Sequence, residues 1–153
     1  MKNVIKSMSI LGIALLFLFV PVYGSAKPAP SPDHPAYLHA LSDLRDARAH
    51  LQRPNGGELR DQEKKAIHEI DDAIDEIKKA SIDDGKDINE HAPIDSSLDW
   101  RGRLHKSLEL VDKAHKDVSQ EEDNSFAQGL QQRALDHIDK AHHHIVEAIQ
   151  VVQ

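Results

Sequence analysis

The chain has 153 residues, 39 % of them hydrophobic and 4 % aromatic, with no cysteine and a formal net charge of −7 at pH 7. The lack of cysteine excludes disulfides, iron–sulfur clusters, thiolate catalysis and Cys-x-x-Cys-His haem attachment. The acidic balance, with no basic stripe to reverse it, argues against nucleic acid or anionic lipid as a partner.

The first element is an address. Lys2 and Lys6 precede an apolar run, Ile10 to Val20, followed by the small residues Gly24, Ser25 and Ala26. This is the order of a secretory signal peptide. Its eleven-residue core is well short of the roughly twenty residues that span a bilayer. Residues 1–26 are therefore expected to be cleaved after Ala26, leaving a soluble periplasmic or secreted protein without stable membrane insertion; a retained anchor is the alternative. No cysteine follows that could carry a lipid. The remaining 127 residues hold 17 Lys and Arg against 26 Asp and Glu, a net charge of −9.

Residues 27–34 contain three prolines and read as an extended leader. Beyond them, one apolar pattern spaced three, three and four residues apart occurs four times: Leu41, Leu44, Ala47, Leu51; Ile67, Ile70, Ala73, Ile77; Leu108, Val111, Ala114, Val118; and Leu135, Ile138, Ala141, Ile145. That spacing keeps each set on one stripe of an α-helix, so each helix has one edge to bury. The pattern predicts helices over about 35–53, 58–80, 98–119 and 125–152, with Asp33 and the Ser125/Gln128 box as caps. The breaks fall at Pro54 to Gly57, in the acidic stretch 81–96, and at Glu121 to Asn124. Short first and third connections make two hairpins, and the whole of 35–153 is expected to be an all-α, up-down-up-down antiparallel four-helix bundle.

The middle stretch holds Asp83, Asp84, Asp87, Glu90 and Asp95 around Gly85. A calcium loop would need ligands one, three and five residues before that glycine, where Asp84, Ile82 and Ala80 stand, so a solvated loop is the better reading. No Gly-rich phosphate loop or nucleophile elbow is present, and no catalytic residue is expected.

Histidine is the conspicuous residue: all eleven lie beyond residue 26. Imidazole suits zinc, nickel and cupric copper. On the helical wheel His115 and His142 fall squarely in the apolar face and are expected to point inward, whereas His39, His50, His68 and His137 fall well off it, where solvation accounts for them. Arg48 occupies the equivalent inward slot of the first helix, favouring a network with acidic partners over a metal there. The run His142, His143, His144 cannot converge on one ion while the helix persists, because consecutive residues diverge by 100°.

The third and fourth helices share a tetrapeptide, Asp112-Lys113-Ala114-His115 and Asp139-Lys140-Ala141-His142. It resembles the Glu-x-x-His pairs of ferritin-like di-iron bundles, but uses Asp and lacks an inward Glu at matching positions of the first two helices. Pivoting the hairpin near residue 122 puts His115 and His142 roughly 20 Å apart along the bundle, too far to share a metal. The same pivot sets His105 level with Asp139, so that His105, Asp139 and His142, with His143 as a replacement, form the expected site for a divalent transition metal. The competing reading is a polar pair of Asp and His that serves structure.

The stretches Asp-Leu-Arg-Asp-Ala-Arg at 43–48 and Glu-Ile-Asp-Asp-Ala-Ile at 69–74, with the acidic middle loop, resemble small exported bacterial helical-bundle proteins of unassigned activity. The His-bearing fourth helix is similar to the small periplasmic metal-binding proteins, which implies metal buffering, although His at regular seven-residue intervals is lacking. The expectation is an exported, non-catalytic binding or interaction protein, with an unidentified envelope protein or a metal ion as partner and no certain cofactor. Divalent-metal binding and a chaperone-like envelope stress role are the alternatives; the latter requires an exposed apolar concavity.

Overall fold

The computed structural model describes residues 35–52, 60–79, 85–120 and 125–151, with side chains of the last segment from 129 onward. Regular structure among them is entirely helical: α1 (Pro35–Leu51), α2 (Asp61–Lys79), α3 (Trp100–Gln120) and α4 (Ser125–Val151). The signal segment, the leader, the Asp33 cap and the Ser125/Gln128 box lie outside the described residues or side chains.

The helix ends have local causes. At α2, Glu63 reaches back to accept the amide of Arg60 at 2.7 Å, the reciprocal half of a capping box. At α3, Asp99 accepts the amide of Gly102 at 2.7 Å and is the N-cap, so the helix begins at Trp100, two residues later than expected. The end of α1 is capped from another helix. The buried Arg103 guanidinium donates to the carbonyls of Ala49, His50 and Gln52 at 3.0, 3.2 and 2.6 Å, and the Ser107 hydroxyl donates to Ala47 at 3.0 Å. These are carbonyls that α1 itself cannot satisfy, or can satisfy only in part.

The fourfold pattern is the core. Leu41, Leu44, Ala47, Leu51, Ile70, Ala73, Ala114, Val118, Ile138, Ala141 and Ile145 are fully buried, with Ile77 and Val111 nearly so. The first member of the pattern in α2, α3 and α4, namely Ile67, Leu108 and Leu135, sits at the margin. The pattern's alanines, Ala47, Ala73, Ala114 and Ala141, are fully buried and let the helices approach closely at those points.

The helices in contact are α1 with α3, α2 with α4, α3 with α4, and α1 with α2. Arg103 and Ser107 meet the last turn of α1, and Lys113 and Asp117 lie near Asp43, so α3 runs antiparallel to α1. Along α4, His144 meets Gln62, His137 meets Glu69 and Arg133 meets Glu76, so α4 runs antiparallel to α2. It is antiparallel to α3 as well, through Asp112 with His142 and His115 with Asp139. Helices α2 and α3 therefore run in the same sense, and chain order gives up, down, down, up rather than up-down-up-down.

Loop length explains the difference. Twenty residues separate Lys79 from Trp100, enough at about 3.3 Å each to run back along a bundle roughly 30 Å long. The described part of that segment follows such a path. Lys78 donates to the Lys86 carbonyl at 3.2 Å, and the Ala92 amide donates to Asp46 at 2.9 Å. Gly85 turns the chain at φ 75°, a conformation that suits glycine. Asp87 accepts the Asn89 amide, and Asp95 accepts the Ser97 hydroxyl and amide, which holds both carboxyls below the usual aspartate range. This acidic loop makes Asx turns and binds its own backbone.

Of two polar side chains that the sequence singles out, one follows expectation and one departs from it. Arg48 does find an acidic partner, Asp71 at 2.7 Å, and also bonds Asn89 at 2.9 Å, tying α1, α2 and the middle segment together. His50, expected to be solvated, is buried, and its Nδ1 has no hydrogen-bond partner among the described residues. Burial, followed by the nearby Arg103 charge, pushes its pKa down, so the ring is held neutral.

Candidate metal-binding faces of α4

Helix α4 presents imidazoles toward both neighbours. The apolar stripe of Ile138, Ala141 and Ile145 faces the core, and the flanks at 100° per residue fall in the grooves beside α3 and α2.

In the α3 groove the two copies of Asp-Lys-Ala-His meet head to tail. His115 Nε2 lies 3.3 Å from Asp139 Oδ1, and His142 Nε2 lies 3.5 Å from Asp112 Oδ1. The four side chains, with Val111 and Ile138 as floor, line one groove of about 230 Å³. Antiparallel helices carrying the same tetrapeptide place each carboxylate opposite the other's imidazole, so the repeat is self-complementary. Both imidazoles are 44 % exposed, so they stand at the rim and not within the core.

This corrects the expected register. His115 and His142 share a groove instead of standing roughly 20 Å apart, and Asp139 faces His115, not His105. The pivot at residue 122 assumed that α4 begins level with the end of α3. The observed pairs show α4 displaced by several residues, with Arg133 near its start engaged by Glu76 of α2. Of the expected ligands, Asp139 and His142 come together. His105 is exposed ten residues before His115, about 15 Å along α3. His143 points elsewhere, 3.4 Å from Glu147 of its own helix. His144 turns to Gln62 at 2.9 Å, so the three consecutive histidines diverge as helical geometry requires.

In the α2 groove a second cluster forms around His137, a residue expected to be solvated. His137 Nδ1 is 2.7 Å from Glu69 Oε2 and 3.8 Å from Asp72 Oδ2. One ligand atom from each of Glu69, Asp72 and His137 lies within 4.8 Å of the others, and all three are half-buried. The sequence carries a signal for this seam. Gln62, Glu69 and Glu76 repeat every seven residues on α2, and Arg133, His137 and His144 follow at four and seven on α4, the spacing of flanking positions in paired helices. Further along, Glu76 is held below the usual glutamate range by hydrogen bonds from Lys79 and Arg133, and that end is an ion-pair network.

Among the described residues, no helix is long and apolar enough to cross a membrane. The one large apolar side chain exposed there is Val151. Comparison with protein families, with curated proteins and with solved structures finds no match to this chain.

Proposed function

We propose that this is an exported, non-catalytic binding protein of the bacterial envelope or its surroundings, and that its ligand is a divalent transition-metal ion held between α3 and α4. The observation that carries the reading is the reciprocal pairing of Asp112 with His142 and His115 with Asp139 around one groove. The groove offers its two nitrogens and two oxygens as two Asp–His pairs, a donor set that suits zinc, nickel or cupric copper once side-chain rotation draws the pairs together, since no three of these ligand atoms lie within 4.8 Å of one another in the structure; the groove has no thiolate or thioether donor, which disfavours cuprous copper. The groove is open to solvent, so an ion keeps access for exchange, as a buffer or carrier requires. The signal-like order of residues 1–26 and the likeness to small exported helical proteins support the address.

Calorimetric titration of the untagged protein with zinc, nickel and cupric copper tests the reading, beside an Asp112→Asn/His142→Ala variant and His105→Ala as control. Loss of one bound ion in the double variant, with His105→Ala unchanged, is the expected result. Undiminished binding in the double variant overturns the site. The chaperone-like alternative has less to support it: among the described residues Val151 is the one large apolar side chain exposed, and the partly apolar groove beside Ala92, Pro93, Ile94 and Leu98 is edged by Asp46, Asp95 and Lys106. Weak binding of a hydrophobic dye to the folded protein is the corresponding expectation.

A further inference from the structure

We infer that Glu69, Asp72 and His137 form a second divalent-cation site, in the α2–α4 groove, that binds independently of the groove beside α3. The two sites share α4 but no ligand, and each draws its remaining ligands from a different helix.

The argument begins with what the cluster is without an ion. Glu69 and Asp72 stand three residues apart on one face of α2, and both approach the same nitrogen of His137, at 2.7 and 3.8 Å. An imidazole Nδ1 carries at most one proton and can donate to only one of them. The second carboxylate is then left close to the first, with side chains only 18 % and 38 % exposed. Like charges held together away from bulk water repel. A protonated ring cancels one of the two charges, whereas a divalent ion at the shared point cancels both. Lys140 contributes only from a distance, 3.9 Å from Glu69, and is itself 56 % exposed.

The geometry is close to what an ion requires. Zinc with bonds of about 2.0–2.1 Å in a tetrahedron holds its ligand atoms about 3.4 Å apart. The Glu69 contact must lengthen and the Asp72 contact shorten, each by less than an ångström, which carboxylate side-chain rotations can supply. His137 would bind through the lone pair of Nδ1 with its proton on Nε2. The nearest further donor is His68, whose Nδ1 is 3.7 Å from the same Asp72 oxygen on the outer side of the groove. Three protein ligands with water or His68 completing the shell make a site for zinc, and the excess of carboxylate over imidazole tilts it toward harder ions than the α3 groove accepts. Manganese is therefore the discriminating second probe.

The test is zinc and manganese calorimetry on the untagged protein and on His137→Ala, Glu69→Gln and Asp112→Asn/His142→Ala variants. The wild type is expected to take two zinc ions, and His137→Ala one. Glu69→Gln should bind the second ion at least tenfold more weakly. The double variant should keep one zinc, and manganese heat should vanish with His137→Ala alone. Zinc stoichiometry and affinity unchanged in His137→Ala overturn the inference, as does a double variant that binds no zinc. A wild type holding one ion, lost only in the double variant, removes this site and leaves the α3 groove standing; one ion lost only in His137→Ala does the reverse. Because removing an interfacial imidazole can loosen the helix pair, the ring resonances of His137 are followed in the wild type during the titration. A zinc-dependent shift supports the site, and its absence overturns it whatever the variants do.

Discussion

Replacing Arg103 with Ala tests the largest single polar contribution visible between α1 and α3. The guanidinium is only 5 % exposed and donates three hydrogen bonds to the last carbonyls of α1. A charged donor contributes roughly 1–1.5 kcal/mol net per bond to a buried acceptor, so the three total about 3–4 kcal/mol. Against this stands the desolvation of the guanidinium itself, which pushes its pKa down. Returning that loss on mutation offsets about 1 kcal/mol, leaving a net destabilisation of about 2–3 kcal/mol. For a domain of this size that is a large share of total stability and lowers Tm by about 10 °C. Arg103→Lys keeps the charge but not the fork, and should fall between wild type and Ala. Urea unfolding at pH 7 with an unchanged m-value gives the number. A loss below about 1 kcal/mol in Arg103→Ala would mean that water replaces the guanidinium at these carbonyls, and the inter-helix cap would not be a source of stability.

The buried, neutral His50 predicts a pH dependence. Its folded pKa lies below the unfolded value of 6.5, so the unfolded chain binds more protons beneath that pH. Its contribution is complete above pH 6.5 and declines on acidification through 6.5 toward the folded pKa. His50→Gln should flatten that limb in urea midpoints measured from pH 7.5 to 5. Glu109 gives a lower window: Lys113 and Lys106 hold its carboxyl down to about 2, so its contribution is present above 4.5 and fades between 4.5 and 2. Because its side chain is 51 % exposed, Glu109→Gln should change stability by well under about 1 kcal/mol, and less at high salt. Ala114→Leu places a larger side chain at a fully buried alanine and should cost about 1–3 kcal/mol by overpacking, read from the same urea transitions.

How far the sequence reveals this protein depends on which physical rule sets each feature. The four apolar stripes specify which edges are buried, and the burial of Leu44, Ile70, Ala114 and Ile138 follows directly, because a helix fixes the angular position of every residue along it. Those stripes do not specify which helix faces which. Ile74, Val111 and Ile145 offer similar surfaces to any partner, so the sense of the second hairpin rested on loop length, and a segment of this length permits either sense. The polar seams carry the missing information. Gln62, Glu69 and Glu76 at intervals of seven match Arg133, His137 and His144, and the repeated Asp-Lys-Ala-His matches only itself in antiparallel order.

The same reasoning explains why the expected set of His105, Asp139 and His142 does not assemble. An error of a few residues in the pivot of a hairpin leaves the apolar stripe intact, since any register of two greasy edges buries them. It exchanges every flanking partner, and so moved Asp139 from His115 to His105. Charge complementarity is the stricter guide to register. Sliding one helix along the other parts Asp112 from His142 and His115 from Asp139 together, whereas the observed register pairs unlike groups on both rungs. An Asp112→His/His142→Asp exchange preserves that complementarity while moving both imidazoles onto α3, so the fold should tolerate it. Either single exchange sets like groups on one rung and should destabilise the pair more than the double exchange does, by a few tenths of a kcal/mol at these exposed positions. A double exchange no more stable than the single ones would show that register is set by apolar packing alone.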